Sequence, residues 1–221
     1  MREFAVVDHI LKERELEGVE FTPLQKELIF KEISFRLKNN LNTIASLFGL
    51  QIINAEENRN KEVSRVLLTN KVRINTISIL HDSLYKDSAK LQSFADHIKN
   101  IINLINDGLS EVPLILLDFD DIGLSPDSTI KLGTIFCELY TNSLQHAFGK
   151  VDHFGEIVVS FKCVDDKIVF TYYEKNHRGV DIEKMLKSKT VGMKLVMINS
   201  RQLNAKLDIF HKEGLLFRLT M

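Results

Sequence analysis

Apolar residues recur at steps of three and four through the first part of the chain. Phe30, Ile33, Leu37, Leu41, Ile44 and Phe48 form one such stripe, and that period predicts a long amphipathic helix. Thr22-Pro23 reads as its start, with Thr as cap and Pro in the first turn. From Leu24 to about Ala55 there is no Pro, and Gly49 is the one Gly. Glu56-Glu57-Asn58-Arg59-Asn60-Lys61 is a polar break. A second helical run extends from Glu62 to about Tyr85, with Val63, Val66, Leu67, Ile74, Ile77 and Leu84 as apolar positions. Two long helices with a short connection predict an antiparallel hairpin. Such a hairpin cannot bury both stripes alone, and pairing with a second copy into a four-helix bundle would do so. A third helix is predicted from about Leu91 to Ile105, ended by Asn106-Asp107-Gly108.

The period then changes. Val112 to Asp118 is β-rich, and Ser125-Pro126-Asp127 caps a helix running to about Phe148. Glu156–Cys163 and Lys167–Tyr173 read as paired strands around Val164-Asp165-Asp166. Thr190 to Leu203 is helical, and Lys206–Phe210 with Leu215–Thr220 form a closing hairpin around Glu213-Gly214. The expected architecture is α + α/β. A lead segment covers residues 1–23, a helical dimerisation domain 24–108, and a mixed α/β domain 109–221.

Composition adds bounds rather than a function. The chain has 221 residues, 44% hydrophobic and 27% charged, ordinary for a globular protein. A net charge of -1 gives no reason to expect a nucleic-acid or anionic-membrane partner. No apolar run approaches a membrane span and no signal peptide opens the sequence, so a cytoplasmic protein is expected. Cys137 and Cys163 both sit in apolar segments and read as buried free thiols of a reducing compartment.

Candidate chemistry begins on the 125–148 helix. Glu138, Asn142 and His146 lie four apart and share one face. The stripe borders Leu132, Ile135, Phe136 and Leu139, which should leave it half buried. A carboxylate and a carboxamide one turn apart can hold Mg²⁺ beside a phosphate oxygen; a solvated helix edge would look the same. The wider run Glu138-Leu139-Tyr140-Thr141-Asn142-Ser143-Leu144-Gln145-His146-Ala147-Phe148 resembles the N box of the histidine kinase ATP-binding domain. The resemblance implies a Bergerat-type sandwich. It also implies that Asn142 ligates Mg²⁺, Glu138 polarises the attacking group or a water, and His146 contacts phosphate.

The first half resembles the same family, in its HWE-like or second HisKA class. Lys31-Glu32-Ile33-Ser34-Phe35-Arg36-Leu37-Lys38-Asn39-Asn40-Leu41-Asn42 looks like the phosphoacceptor motif, with Phe35 where the accepting histidine belongs. Lys71-Val72-Arg73 through Ile79-Leu80-His81-Asp82-Ser83-Leu84-Tyr85 looks like the second dimerisation helix. Phe94-Ala95-Asp96-His97-Ile98 resembles the family's next segment, Phe-Ala-x-Tyr-Leu. The short segment before the acceptor motif is too small for a sensory domain of ordinary size.

The departures from the family pattern carry the functional expectation. A phenyl ring has no lone pair to attack phosphorus, so self-phosphorylation at Phe35 is chemically excluded. The first glycine box falls on Glu174-Lys175-Asn176-His177-Arg178-Gly179. Glu174 would replace the adenine-reading aspartate, and both motif glycines are lost, which argues for a narrowed adenine pocket. The second box, Thr190-Val191-Gly192-Met193-Lys194-Leu195-Val196, is closer to the family, and backbone N–H groups at Gly192 could still face phosphate. The family's Gly-Gly before the last hairpin is Asn204-Ala205, and its final Gly-Gly-Thr is Glu213-Gly214-Leu215, without the hydroxyl. The resemblance leaves Mg-ATP as a candidate cofactor held through Asn142, His146, Glu174, Gly192 and Lys194. The expected partner is a response-regulator receiver or a partner kinase, engaged through Phe35, Arg36, Lys38 and Asn39. Asn39, one turn after Phe35, could position a water for receiver dephosphorylation. His81 is the hairpin histidine that could substitute for the acceptor, against the simpler reading of a packing residue. His9, His153 and His211 show no metal-ligand spacing.

Overall fold

The computed structural model describes residues 22–85, 93–107, 109, 111–146, 155–175, 182, 190–211 and 213–221, without the side chains of residues 23, 26, 27, 30, 82–85 and 146. The lead segment before Thr22, the run Asn176–Gly179, His9, His153 and the side chain of His146 therefore lie outside the described residues. The described residues fall into two compact units. One holds the hairpin together with Ser125–Ile130; the other holds Ser93–Leu124 and Lys131–Met221.

The hairpin consists of α1 (Pro23–Glu57) and α2 (Lys61–Tyr85). Thr22 and Gln25 form a capping box: Thr22 Oγ1 accepts from the Gln25 N–H at 3.3 Å, and Gln25 Oε1 accepts from the Thr22 N–H at 2.8 Å. The turn between the helices is closed at both ends. Arg59 takes φ 56°, while Arg59 N–H bonds Glu56 O at 2.9 Å and Asn60 N–H bonds Ala55 O at 2.8 Å. That pair of bonds is the Schellman arrangement, with Arg at the left-handed position that Gly usually fills. Asn60 then caps α2, its Oδ1 accepting from the Val63 N–H at 3.2 Å.

The seam between α1 and α2 differs from the predicted stripe. Small α1 residues, Ser34, Ala45 and Ala55, are buried, together with Thr76, Ser78, Leu80 and His81 of α2. Ser78 Oγ bonds Asn42 Oδ1 across the seam at 3.1 Å. Ile33, Leu37 and Ile44, from the predicted stripe, remain exposed within the single hairpin. Small side chains allow two helices to approach closely, so the larger ones beside them are turned away from the seam.

In the second unit, α3 (Phe94–Asn106), α4 (Pro126–His146, in this unit from Lys131 on) and α5 (Val191–Gln202) accompany β1 (Leu114–Phe119), β2 (Glu156–Val164), β3 (Lys167–Lys175), β4 (Lys206–His211) and β5 (Gly214–Thr220). The sheet order is β1-β2-β3-β5-β4, with β1 parallel to β2 and the other pairs antiparallel. Period-two alternation buries Ile157, Val159, Phe161, Phe170, Tyr172, Phe217 and Leu219 on one face. Leu132, Ile135, Phe136, Leu139 and Tyr140 of α4 are also buried, and Phe136 meets Tyr172 edge-on at 6.1 Å.

The third helix, read from the sequence as the end of the helical domain, belongs spatially with the sheet. Phe94 stacks on Phe119 at 5.7 Å and tilts against Phe161 at 4.9 Å. Its stripe of Phe94, Ile98, Ile101 and Ile105 is fully used there. The reason is the continuous apolar face of α3, which matches an aromatic sheet surface that the sequence leaves unassigned. One other detail differs from expectation, and the expected β2–β3 turn has unusual residues. Cys137 is buried, but Cys163, near the solvent end of β2, is exposed. Asp165 and Asp166, both at positive φ (50° and 58°), make the two-residue turn between β2 and β3, a role more often filled by Asn-Gly.

Candidate functional site

Two sets of predicted residues lie in the two units. On the hairpin, Phe35 is 60% exposed, and Asn39 is exposed one turn further along α1. Arg36 is exposed and ion-paired with Glu32, Nε to Oε1 at 2.6 Å. Lys38 is half-buried. Thr43 Oγ1 donates to the Asn39 carbonyl at 2.9 Å, which leaves the Asn39 side chain outside that bond. Ser34, adjacent to Phe35, is buried. A helix turns about 100° per residue, so Ser34 and Phe35 take opposite roles: one lines the seam, the other faces out. His81 is buried at the seam, the environment of a packing residue rather than of an open phosphoacceptor.

In the second unit, Glu138 of α4 is 1% exposed, more buried than the half-buried edge expected for it. Asn142 is half-buried. Glu174 is 2% exposed. It lies inside β3 rather than after it, opposite Ile157 of β2 and Leu215 of β5. Its Oε2 accepts from Ser143 Oγ at 3.0 Å, and Ser143 Oγ lies 2.7 Å from the Tyr172 hydroxyl. Ser143 is next to Asn142 in the chain, so the structure ties the strand carrying Glu174 to the N-box helix through a buried hydroxyl. Burial pushes the Tyr172 phenol well above its ordinary value, and the nearby Glu174 carboxylate pushes in the same direction against the Ser143 hydrogen bond. Tyr140, also buried, is pushed up to about 12 while donating to Asn106 Oδ1.

Gly192 is buried at the start of α5 and Lys194 is exposed one turn in. Lys194 N–H bonds the Thr190 carbonyl at 3.3 Å. Asn204, at the first position of the family's Gly-Gly, adopts φ 54° and closes α5 with Asn204 N–H on Arg201 O and Ala205 N–H on Ser200 O. Asn tolerates this left-handed conformation better than most residues, so the turn survives without glycine. Gly214 leaves no room for a side chain without a shift: a Cβ there would meet the Glu174 carbonyl oxygen.

Ser143 and Tyr172 carry much of this cluster, and neither stands out in the sequence. Tyr172 and Glu174 are two apart on one strand and therefore share a face. That spacing, with a Ser after Asn142, is the signal the sequence offers. Among the described residues no cluster of three or more His, Cys, Asp or Glu has metal-binding geometry. No described helix is long and apolar enough to cross a membrane.

The helical hairpin and the mixed sheet with helices packed on one face are a fold shared with histidine kinase domains of known structure. Residues 32–108 match the family model HisKA_2, described as histidine kinase, and the resemblance read from the motifs stands. The chain is 29% identical over 138 residues to the sensor histidine kinase PdtaS of Mycobacterium tuberculosis. That alignment covers 62% of this chain but 27% of PdtaS, so the match spans about a quarter of the relative. The histidine kinase domain of the Erythrobacter litoralis EL346 blue-light activated histidine kinase has the same fold, with a TM-score of 0.60 at 16% identity over 86% of this chain and 94% of that one. The longer EL346 structure gives a TM-score of 0.63 at 18% identity, covering 91% of this chain and 60% of its own.

Proposed function

We propose that this chain is a degenerate histidine kinase-like protein of a two-component system, one that binds a receiver domain or a partner kinase without phosphorylating itself. The observation that carries this reading is Phe35: a 60% exposed phenyl ring at the acceptor position of a HisKA_2 match. An exposed aromatic beside Arg36 and one turn from Asn39 suits a contact anchor. The apolar side chains left open on the hairpin support pairing with a second copy. A cytoplasmic location fits the same reading.

The nucleotide site supports loss rather than retention. In the related kinases Mg-ATP would supply the phosphoryl group. Here Glu138 and Glu174 are 1% and 2% exposed, and one Glu174 oxygen is engaged by Ser143. A carboxylate at the adenine-reading position that is already bonded to Ser143 supports weakened nucleotide binding. Residual Mg-ATP binding through Asn142, His146, Gly192 and Lys194 is the weaker reading.

The test combines purified protein, radiolabelled ATP and a receiver encoded beside the gene. No label should enter the protein, and Phe35→His should remain unlabelled. Labelling of Phe35→His at the rate of an ordinary kinase would overturn the closed-site reading. Phe35→Ala should weaken receiver or kinase binding about thirtyfold, the effect of a central aromatic contact; unchanged affinity would remove the docking role. A second reading rests on exposed Asn39: the protein would hasten hydrolysis of the receiver's aspartyl phosphate. That activity should vanish in Asn39→Ala and survive in His81→Ala.

A further inference from the structure

The sheet face opposite the helices carries an unassigned feature. The ladders place Leu116, Val158, Tyr173, Leu216 and Phe210 in one row across all five strands. Each is exposed or half-buried, with Leu116 at 45% and Phe210 at 46%. An antiparallel sheet usually presents polar residues to water on its open face, so an apolar row there is a departure.

At the β5–β4 end the row deepens into a cleft of about 720 Å³, within the size range of small-molecule sites. Leu216 is its floor, paired in register with Tyr173 on one side and Phe210 on the other. Tyr173 forms one wall because Gly214 has no side chain: a Cβ there would sit 2.7 Å from the Tyr173 ring. Phe210 forms the other wall, and the Arg218 guanidinium lies over its ring at 5.4 Å. Ile182 and Ile209 complete the lining, and His211 and Glu213 stand on it as well.

The charges identify the occupant. Flanking the row, Lys175 pairs with Glu156, Lys162 with Asp118, and Lys206 with Asp208. Asp208 is directly opposite Arg218 in the ladder, yet its carboxylate is 3.0 Å from Lys206. Among the described residues Arg218 has no carboxylate partner. Glu213 lies five residues from Arg218 along the chain, or about 17 Å of extended strand. The cleft therefore has an acidic end and a basic end with an aromatic-walled floor between them.

We propose that this cleft binds a small amphipathic carboxylate, its acid group on Arg218 and its aromatic or branched aliphatic body over Leu216 between Tyr173 and Phe210. A guanidinium already stacked on an aromatic ring is oriented for a carboxylate fork. The site is distinct from both the acceptor face and the nucleotide-type cluster, and it would give the second unit a chemical input of its own.

The experiment uses the full chain and 1-anilinonaphthalene-8-sulfonate, a fluorescent aromatic anion, displaced by 4-phenylbutyrate. The acid should displace a fraction of the bound dye, and 4-phenylbutylamine should displace none of it. Arg218→Gln and Phe210→Ser alter exposed positions, and circular dichroism checks that each variant is folded. Each should weaken displacement by the acid about fivefold. Leu47→Glu on the hairpin should change total dye fluorescence but not the amount of fluorescence lost on adding the acid. Absence of displacement by the acid, equal displacement by the amine, or an unchanged acid affinity in Arg218→Gln would each overturn the proposal.

Discussion

The hairpin and the sheet unit solve the same problem with opposite results. The sheet unit buries Phe136, Phe161, Phe170, Tyr140 and Tyr172 essentially completely. The hairpin leaves Leu28, Ile33, Leu37, Ile44, Leu47, Leu50 and Ile53 exposed and buries Ser34, Ala45 and Ala55 in its seam. A sheet with helices on one face has two layers and hence an interior. Two helices alone have a line of contact, and whatever lies beside that line remains in water. The sheet unit therefore has its apolar surface covered within the chain, whereas the hairpin keeps apolar surface open to water, and the proposed pairing would cover it.

A matched pair of truncations tests this contrast hardest. Phe161→Ala should destabilise the sheet unit by about 3–5 kcal/mol, as large-to-small core changes do. Leu47→Ala, at a side chain 53% exposed, should cost under about 0.5 kcal/mol in dilute monomer while shifting the oligomer measured by light scattering toward monomer. Denaturant titration of both variants at low concentration checks the contrast, and equal losses would refute it.

Next in size is Gly214→Ala. The added methyl meets the Glu174 carbonyl, and overpacking of this kind costs about 1–3 kcal/mol. A thermal melt should fall accordingly.

Arg59→Gly works in the opposite direction. It relieves a left-handed residue at the hairpin turn and should stabilise the hairpin by about 1 kcal/mol. Hydrogen exchange of the α1–α2 amides would detect that gain locally and should show no matching gain in the sheet.

The smallest effect is a pH slope confined to the sheet unit. Burial lowers the His97 pKa below 6.5, against an opposing pull from Asp96. The folded protein therefore holds a neutral imidazole, and the unfolded chain takes up a proton first as pH falls. The contribution to stability is complete above pH 6.5 and is lost progressively as pH drops from there through the lower folded value. His97→Asn should flatten that part of the stability profile.

Several particulars of the site are legible in the sequence and others are not. The period of Ile33, Leu37 and Ile44 identifies a helix, but the same spacing cannot tell a seam from an unpaired face, because both are apolar. Phe35 can be placed off the stripe by counting, and its exposure follows from helical rotation. Glu138 looks like an edge residue because its helix neighbours give one face only; its burial comes from elements distant in the chain. The hydrogen bonds joining Glu174, Ser143 and Tyr172 are invisible, since they span 31 residues between Ser143 and Glu174 and depend on the register of β3.

Local sequence settles which segments are helices and strands, where most of the turns fall, and that no nucleophile stands at position 35. These are matters of period, capping and side-chain chemistry. Only in the folded chain does α3 join the sheet and Glu174 become sealed against Ser143. Only there do Tyr173, Leu216 and Phe210 meet across three strands, with the Arg218 guanidinium over the Phe210 ring. Those outcomes depend on strand order and register, which bring together residues that no local pattern connects.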